Sequence, residues 1–184
     1  MTALTPANQL TLLRMLLIPA FVILVVYGEM GWALGVFVTA GITDGLDGLI
    51  ARLSGQKTSL GAWLDPMADK LLLVTTFIVL TLPNLGLANR LPIWLTVLII
   101  FRDVGIVLTV AIVNLAIGPR TFRPRPLGKV ATATYIVTAV AAMLFNYLGY
   151  HARLFDAFVY ASLAVTLASG FDYMWHASRI IDGA

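Results

Sequence analysis

Residues 44–69 read DGLDGLIARLSGQKTSLGAWLDPMAD. Two apolar arms flank a short polar turn at Gly55 to Lys57, and between them the arms carry four carboxylates, Asp44, Asp47, Asp65 and Asp69. Asp44, Asp47, Gly48 and Ala51 stand at i, i+3, i+4 and i+7, and Gly61, Asp65 and Asp69 at i, i+4 and i+8, so each set occupies one face of a helix. A turn this short makes the helices antiparallel neighbours. Asp44 and Asp69 each lie about ten residues, roughly 15 Å, from the turn, which predicts that the carboxylates meet at one level.

Outward from this hairpin the chain stays apolar. Of 184 residues 60% are hydrophobic and 11% charged, with a mean hydropathy of +0.92, far from the composition of a soluble domain. The expected fold is all-α, an integral membrane bundle of six transmembrane helices at about 8–27, 31–54, 58–82, 92–117, 129–148 and 155–178, each near the ~20 residues needed to cross. Gly- and Pro-containing breaks separate them, including Pro83 to Leu91 and Gly118 to Gly128, and Pro19 is expected to kink the first. Nearly every residue is used in spanning, so residues 1–184 form a single membrane domain. Met1 to Asn8 lacks the basic start of a cleavable signal, so the first apolar stretch is expected to stay as a helix.

The cations orient the bundle. Arg14, Arg52, Lys57, Arg120, Arg123, Arg125, Lys129 and Arg179 fall on one side and Arg90 and Arg153 on the other, which places both termini and the acidic level toward the cytoplasm. Trp32, Trp63, Trp94 and Trp175 fall near predicted helix ends and read as interfacial anchors. His151 and His176 read the same way. Nothing in the chain points to nucleic acid.

The chain has eight aspartates and one glutamate, and half of those aspartates sit in the hairpin. A charge near the middle of a spanning helix costs ~2.5–3.5 kcal/mol on insertion scales, so four cost on the order of 10 kcal/mol unless partnered. Arg52, Lys57 and Lys70 are the cations within the two arms, too few to neutralise four acids. A bound cation is the expected remedy. There is no cysteine, so thiolate sites and disulfides are excluded, and oxygen-only ligands without a nearby histidine favour Mg²⁺ or Mn²⁺ over zinc. Four carboxylates suffice for two ions ~3.5–4 Å apart, with one acid left as base, an arrangement suited to phosphoryl displacement. Gly48 and Ala51 leave room for a diphosphate to approach the backbone, although small residues also serve close helix packing.

Together Asp44, Asp47, Gly48, Ala51, Arg52, Gly61, Asp65 and Asp69 spell D-x2-D-G-x2-A-R-x8-G-x3-D-x3-D with every spacing kept. The chain thereby resembles the CDP-alcohol phosphotransferase family, and the six-helix layout extends the resemblance over most of its length. The resemblance implies transfer of the phosphatidyl group of CDP-diacylglycerol to an alcohol with release of CMP. It implies Asp44, Asp47 and Asp65 as metal ligands and Asp69 as the general base, with a metal contact of its own. Gly48, Ala51 and Arg52 become contacts of the nucleotide and diphosphate. Asn8, Thr11 and Arg14, in N-x2-T-x2-R, are similar to the start of the family's bacterial glycerophospholipid members, which implies all three as further contacts of the cytidylyl group, with a helix start bearing an interfacial arginine as the plain reading. A bacterial inner membrane and a homodimer are implied in the same way.

Cations outside the motif bear on the acceptor. Arg102 lies inside the fourth span, where a charge needs a reason, and the plain one is pairing with a carboxylate. Asp103 adjoins it but is expected to point elsewhere. Lys129, in the Pro126–Thr132 segment P-x-G-K-x-x-T, resembles the segment where relatives bind an anionic acceptor. Arg125 joins Arg102 and Lys129 as an acceptor contact, with lipid-holding by the Arg120, Arg123 and Arg125 cluster as its plain reading. These cations favour an anionic glycerol-type acceptor over choline or ethanolamine. Phe101, Arg102 and Asp103 with the rest of the fourth helix read more like family members that use phosphatidylglycerol, and glycerol 3-phosphate is ranked ahead only because its use is the commoner activity. Intramembrane aspartates also mark ion transporters, but a transporter spreads its acids along a route and these are packed on one hairpin.

Overall fold

The computed structural model describes residues 6–54, 59–117, 125–149 and 153–182, and within these the side chains at 6–8, 47–54, 59–66, 113, 114, 116, 117, 177 and 179–182 lie outside the description. The described residues form six α-helices: α1 (Pro6–Val26), α2 (Met30–Ser54), α3 (Ser59–Thr81), α4 (Ile93–Ile117), α5 (Pro126–Tyr147) and α6 (Arg153–Asp182), with a 3-10 turn at Pro83–Leu85 between α3 and α4. Each predicted span has its helix. The largest departures are at α5, which begins at Pro126, and α6, which runs on to Asp182. Proline suits the first helical position because its missing N–H would have no partner there, and Pro126 uses it at the start of α5. Pro19 is carried inside α1.

Among the described residues four stretches are long and apolar enough to cross a bilayer, Gln9–Val26, Ile93–Ile112, Pro126–Tyr147 and Arg153–His176, and α2 adds a shorter one, Met30–Leu46. Large apolar side chains face outward along these helices: Phe101 is 74% exposed and Leu115 86%. In water such a surface would drive aggregation, whereas hydrocarbon accepts it.

The chain divides into two compact units, Met1–Arg90 with Ala142–Tyr150 and Leu91–Ala141 with His151–Ala184. In the first, α1 packs on both α2 and α3. Phe21 and Val25 of α1, Ala33, Phe37 and Ala40 of α2, and Ala68, Leu72 and Phe77 of α3 are buried, with the Phe21 and Phe37 rings 6.1 Å apart. Alanines at these positions let helices approach closely, the main source of attraction where lipid competes equally for apolar side chains. Gly28 turns the chain from α1 to α2 at φ 79°, and the Glu29 N–H donates to the Leu24 carbonyl at 2.9 Å, closing the end of α1 as a left-handed glycine cap does. Asn146 satisfies the loop before α4, its Oδ1 accepting from the Asn89 N–H at 3.0 Å and its Nδ2 donating to the Asn89 carbonyl at 3.1 Å.

In the second unit α4 packs on α6. A stripe on α6, Phe155, Val159, Ser162, Thr166 and Ser169, is buried, alternating steps of four and three. Its hydroxyls bond α5: Tyr135 Oη lies 2.7 Å from Thr166 Oγ1, and Thr138 Oγ1 lies 2.8 Å from Ser162 Oγ. Such interhelical bonds add to packing where apolar burial gives no advantage over lipid.

Candidate active site

α2 carries Asp44 and Asp47 and α3 carries Asp65 and Asp69. Asp44 and Asp69, expected at one level of the hairpin, do converge. Both reach the guanidinium of Arg14, which α1 brings between them: Nη1 lies 3.0 Å from Asp44 Oδ1 and 2.5 Å from Asp69 Oδ1. The Arg14 side chain is fully buried, whereas those of Asp44 and Asp69 are 41% and 45% exposed. Thr11 is buried one turn before Arg14. Arg52, Lys57 and Lys70 are the cations of the two arms, and α1, outside the hairpin, adds Arg14 as a cation for two of the acids. The addition is tertiary, since a third helix supplies the charge.

Asp47 and Asp65 lie in α2 and α3, as do Gly48, Ala51, Arg52 and Gly61, but their side chains are outside the described residues, as is that of Asn8. Lys57, Arg120, Arg123 and His151 are outside them altogether. Among the described residues no group of three potential ligand side chains occurs, since only two of the four acids are included. Those two suit a divalent ion. They are hard oxygen donors from separate helices, held to one nitrogen of Arg14 and 41% and 45% exposed. A carboxylate offers about four acceptor positions, so the Arg14 contact leaves capacity for an ion.

The acceptor candidates lie in the second unit. Arg102 Nη1 meets Asp103 Oδ1 at 2.7 Å, with side-chain exposures of 10% and 15%, and Nη2 donates to Ser169 Oγ on α6. Asp103 thus does not point away from Arg102. The several torsions of arginine let its head fold back to an adjacent carboxylate, and burial rewards the pairing. Arg102 Nη2 lies 3.4 Å from where a Cβ on Gly128 would stand, which places the guanidinium beside the start of α5. Arg125 is bound to Asp172 of α6: Nη2 donates to Oδ1 at 2.7 Å, and Nε approaches Oδ2 at 2.5 Å off the hydrogen-bond angle. Lys129 is exposed. A groove of about 380 Å³ between α4 and α6, lined by Phe101, Ile106, Thr109, Leu167 and Phe171, reaches Arg102.

Arg14, Ser169 and Asp172 are the residues that sequence reasoning passed over as partners. A signal existed for Arg14, because the cost argument applied to the aspartates applies equally to an arginine eight residues into a spanning helix. Ser169 carried none, being one hydroxyl among many.

A chain of apolar helices that converges carboxylates from two of them on a buried cation is built as a membrane enzyme handling a charged group. It belongs to the CDP-alcohol phosphatidyltransferase family, whose sequence profile matches residues 4–168. It is 38% identical to a protein of Mycobacterium tuberculosis (strain ATCC 25618 / H37Rv) named "Probable phosphatidylglycerophosphate synthase", over 96% of this chain and 83% of that one. It is 36% identical to the human "Cardiolipin synthase (CMP-forming)" over 78% of this chain and 52% of the human protein, and 37% identical to the rat enzyme of the same name over the same shares. The chain is accordingly a transferase of phospholipid biosynthesis.

Proposed function

We propose that the protein transfers the phosphatidyl group of CDP-diacylglycerol to glycerol 3-phosphate, making phosphatidylglycerophosphate. The observation that carries the acceptor is the near full-length likeness to the mycobacterial protein, against coverage of about half of the human cardiolipin synthase. Phosphatidylglycerol is the second reading, favoured by the human and rat likeness.

In the reaction the acceptor hydroxyl oxygen attacks the phosphorus that bears diacylglycerol. The bond from that phosphorus to the CMP oxygen breaks, and CMP leaves. Asp44, Asp47, Asp65 and Asp69 hold Mg²⁺ or Mn²⁺, two ions in all, whose chemistry is to neutralise the diphosphate and the charge developing on the leaving group. Asp69 takes the hydroxyl proton. Arg14 grips Asp44 and Asp69 alike, so the assignment to Asp69 follows its place in the motif. Gly48, Ala51 and Arg52, with Asn8 and Thr11 of α1, receive the cytidine diphosphate. Arg102, Arg125 and Lys129 receive the acceptor's phosphate, which must compete with Asp103 and Asp172 for the two guanidinium groups.

The bundle spans the membrane six times as one domain, with both termini and the acidic site at the cytoplasmic face of a bacterial inner membrane, and works as a homodimer. The deciding assay offers purified protein CDP-diacylglycerol and Mg²⁺ or Mn²⁺ with each acceptor separately, then identifies the lipid product. Glycerol 3-phosphate is expected to yield phosphatidylglycerophosphate and CMP. Product from phosphatidylglycerol alone would replace the reading with cardiolipin synthesis, and no CMP with any glycerol-type acceptor would end both.

A further inference from the structure

We propose that Arg14 is the positioning residue of the acidic site, an internal guanidinium beneath Asp44 and Asp69 that aims both carboxylates at one point, so that a divalent ion meets ligands already convergent. The proposal rests on the reading of this site as a metal site. The arginine is fully buried while the side chains it grips are 41% and 45% exposed, which places the cation on the protein side and leaves the carboxylates partly exposed. A single nitrogen, Nη1, reaches Oδ1 of both at 3.0 and 2.5 Å. Two like charges from different helices, which would otherwise repel, are thereby held together. The place of the guanidinium is set independently of the acids. α1 packs on both α2 and α3, and one face of it, Thr11, Arg14, Phe21 and Val25, is buried, with Phe21 against Phe37 of α2.

Two roles for such a cation predict opposite signs. A competitor that merely occupies the carboxylates would, when removed, tighten ion binding, whereas a residue that orients ligands would weaken it. Groups that orient metal ligands typically affect affinity ~10–100-fold, and a loss in that range is expected for Arg14→Gln. The test is Mn²⁺ titration followed by electron paramagnetic resonance on the full chain in detergent, comparing native protein, Arg14→Gln and Arg14→Lys, with folding checked by gel filtration and circular dichroism. Arg14→Lys, which keeps the charge but loses the planar fork, is expected to fall between the other two. Mn²⁺ binding by folded Arg14→Gln that equals or exceeds the native overturns the role of Arg14 and leaves the metal reading standing. Failure of the native protein to bind Mn²⁺ overturns the metal reading and this proposal with it. Should Arg14→Gln not fold, Arg14→Lys takes the decision: weaker binding than native supports the proposal, and native-like binding overturns it.

Discussion

Asp44 and Asp69 share one nitrogen of Arg14, so a change at either carboxylate is transmitted to the other. If Asp69 takes the acceptor's proton, Asp69→Asn loses turnover by ~10²-fold or more while retaining affinity for CDP-diacylglycerol, as CMP release and lipid-binding titration would record. Undiminished turnover removes it as base. Lys129→Ala is expected to raise the KM of the acceptor more than that of the CDP-lipid; the reverse pattern places the lysine at the nucleotide. The acids were legible in the sequence because spacing puts them on helix faces and insertion energy makes them costly. The partners of the cations were not. Asp69 lies 55 positions from Arg14, and Ser169 lies 67 from Arg102, separations on which no local period bears. Even the adjacent pair Arg102 and Asp103 defied helical geometry, because the arginine side chain is long enough to turn back on its neighbour.

Helix boundaries follow from short-range chemistry, and the predicted spans differ from α1 to α6 by a few residues at most. What the elements do to one another depends on fit. A Cβ on Gly31 of α2 would stand 2.7 Å from Cε2 of Tyr147 at the end of α5, so Gly31→Ala is expected to cost about 1–3 kcal/mol of stability through overpacking. Thermal melts in detergent check this, and pairing the change with Tyr147→Ala should recover most of the loss. Between α5 and α6, a double-mutant cycle of Thr138→Val and Ser162→Ala should give a coupling near 0.6 kcal/mol, the usual worth of one interhelical hydrogen bond in a membrane protein. No coupling would mean that the hydroxyls are satisfied as well within their own helices, as the bond from Thr138 to the Thr134 carbonyl allows.

For the whole molecule, the proposed six crossings would put both termini on one side, and the absence of cysteine makes this directly testable. Single cysteines introduced near either terminus are expected to react with an impermeant maleimide only from the cytoplasmic side, and one at Tyr27, beside the Gly28 turn, only from the other. Labelling of the two termini from opposite sides would rule out six spans. Chelation by EDTA is expected to abolish CMP release, with Mg²⁺ or Mn²⁺ restoring it. By itself the sequence determined the all-helical membrane class and the helix limits to within a few residues, because hydropathy, the 3.6-residue period and proline and glycine act within a turn or two of chain. Only the tertiary structure decided which charges meet: Arg14 between Asp44 and Asp69, Arg102 on Asp103 and Ser169, Arg125 on Asp172. The physical reason is that an ion pair in a bilayer forms wherever helix packing brings a long cationic side chain within reach of a carboxylate, and packing is settled by the fit of whole helix faces.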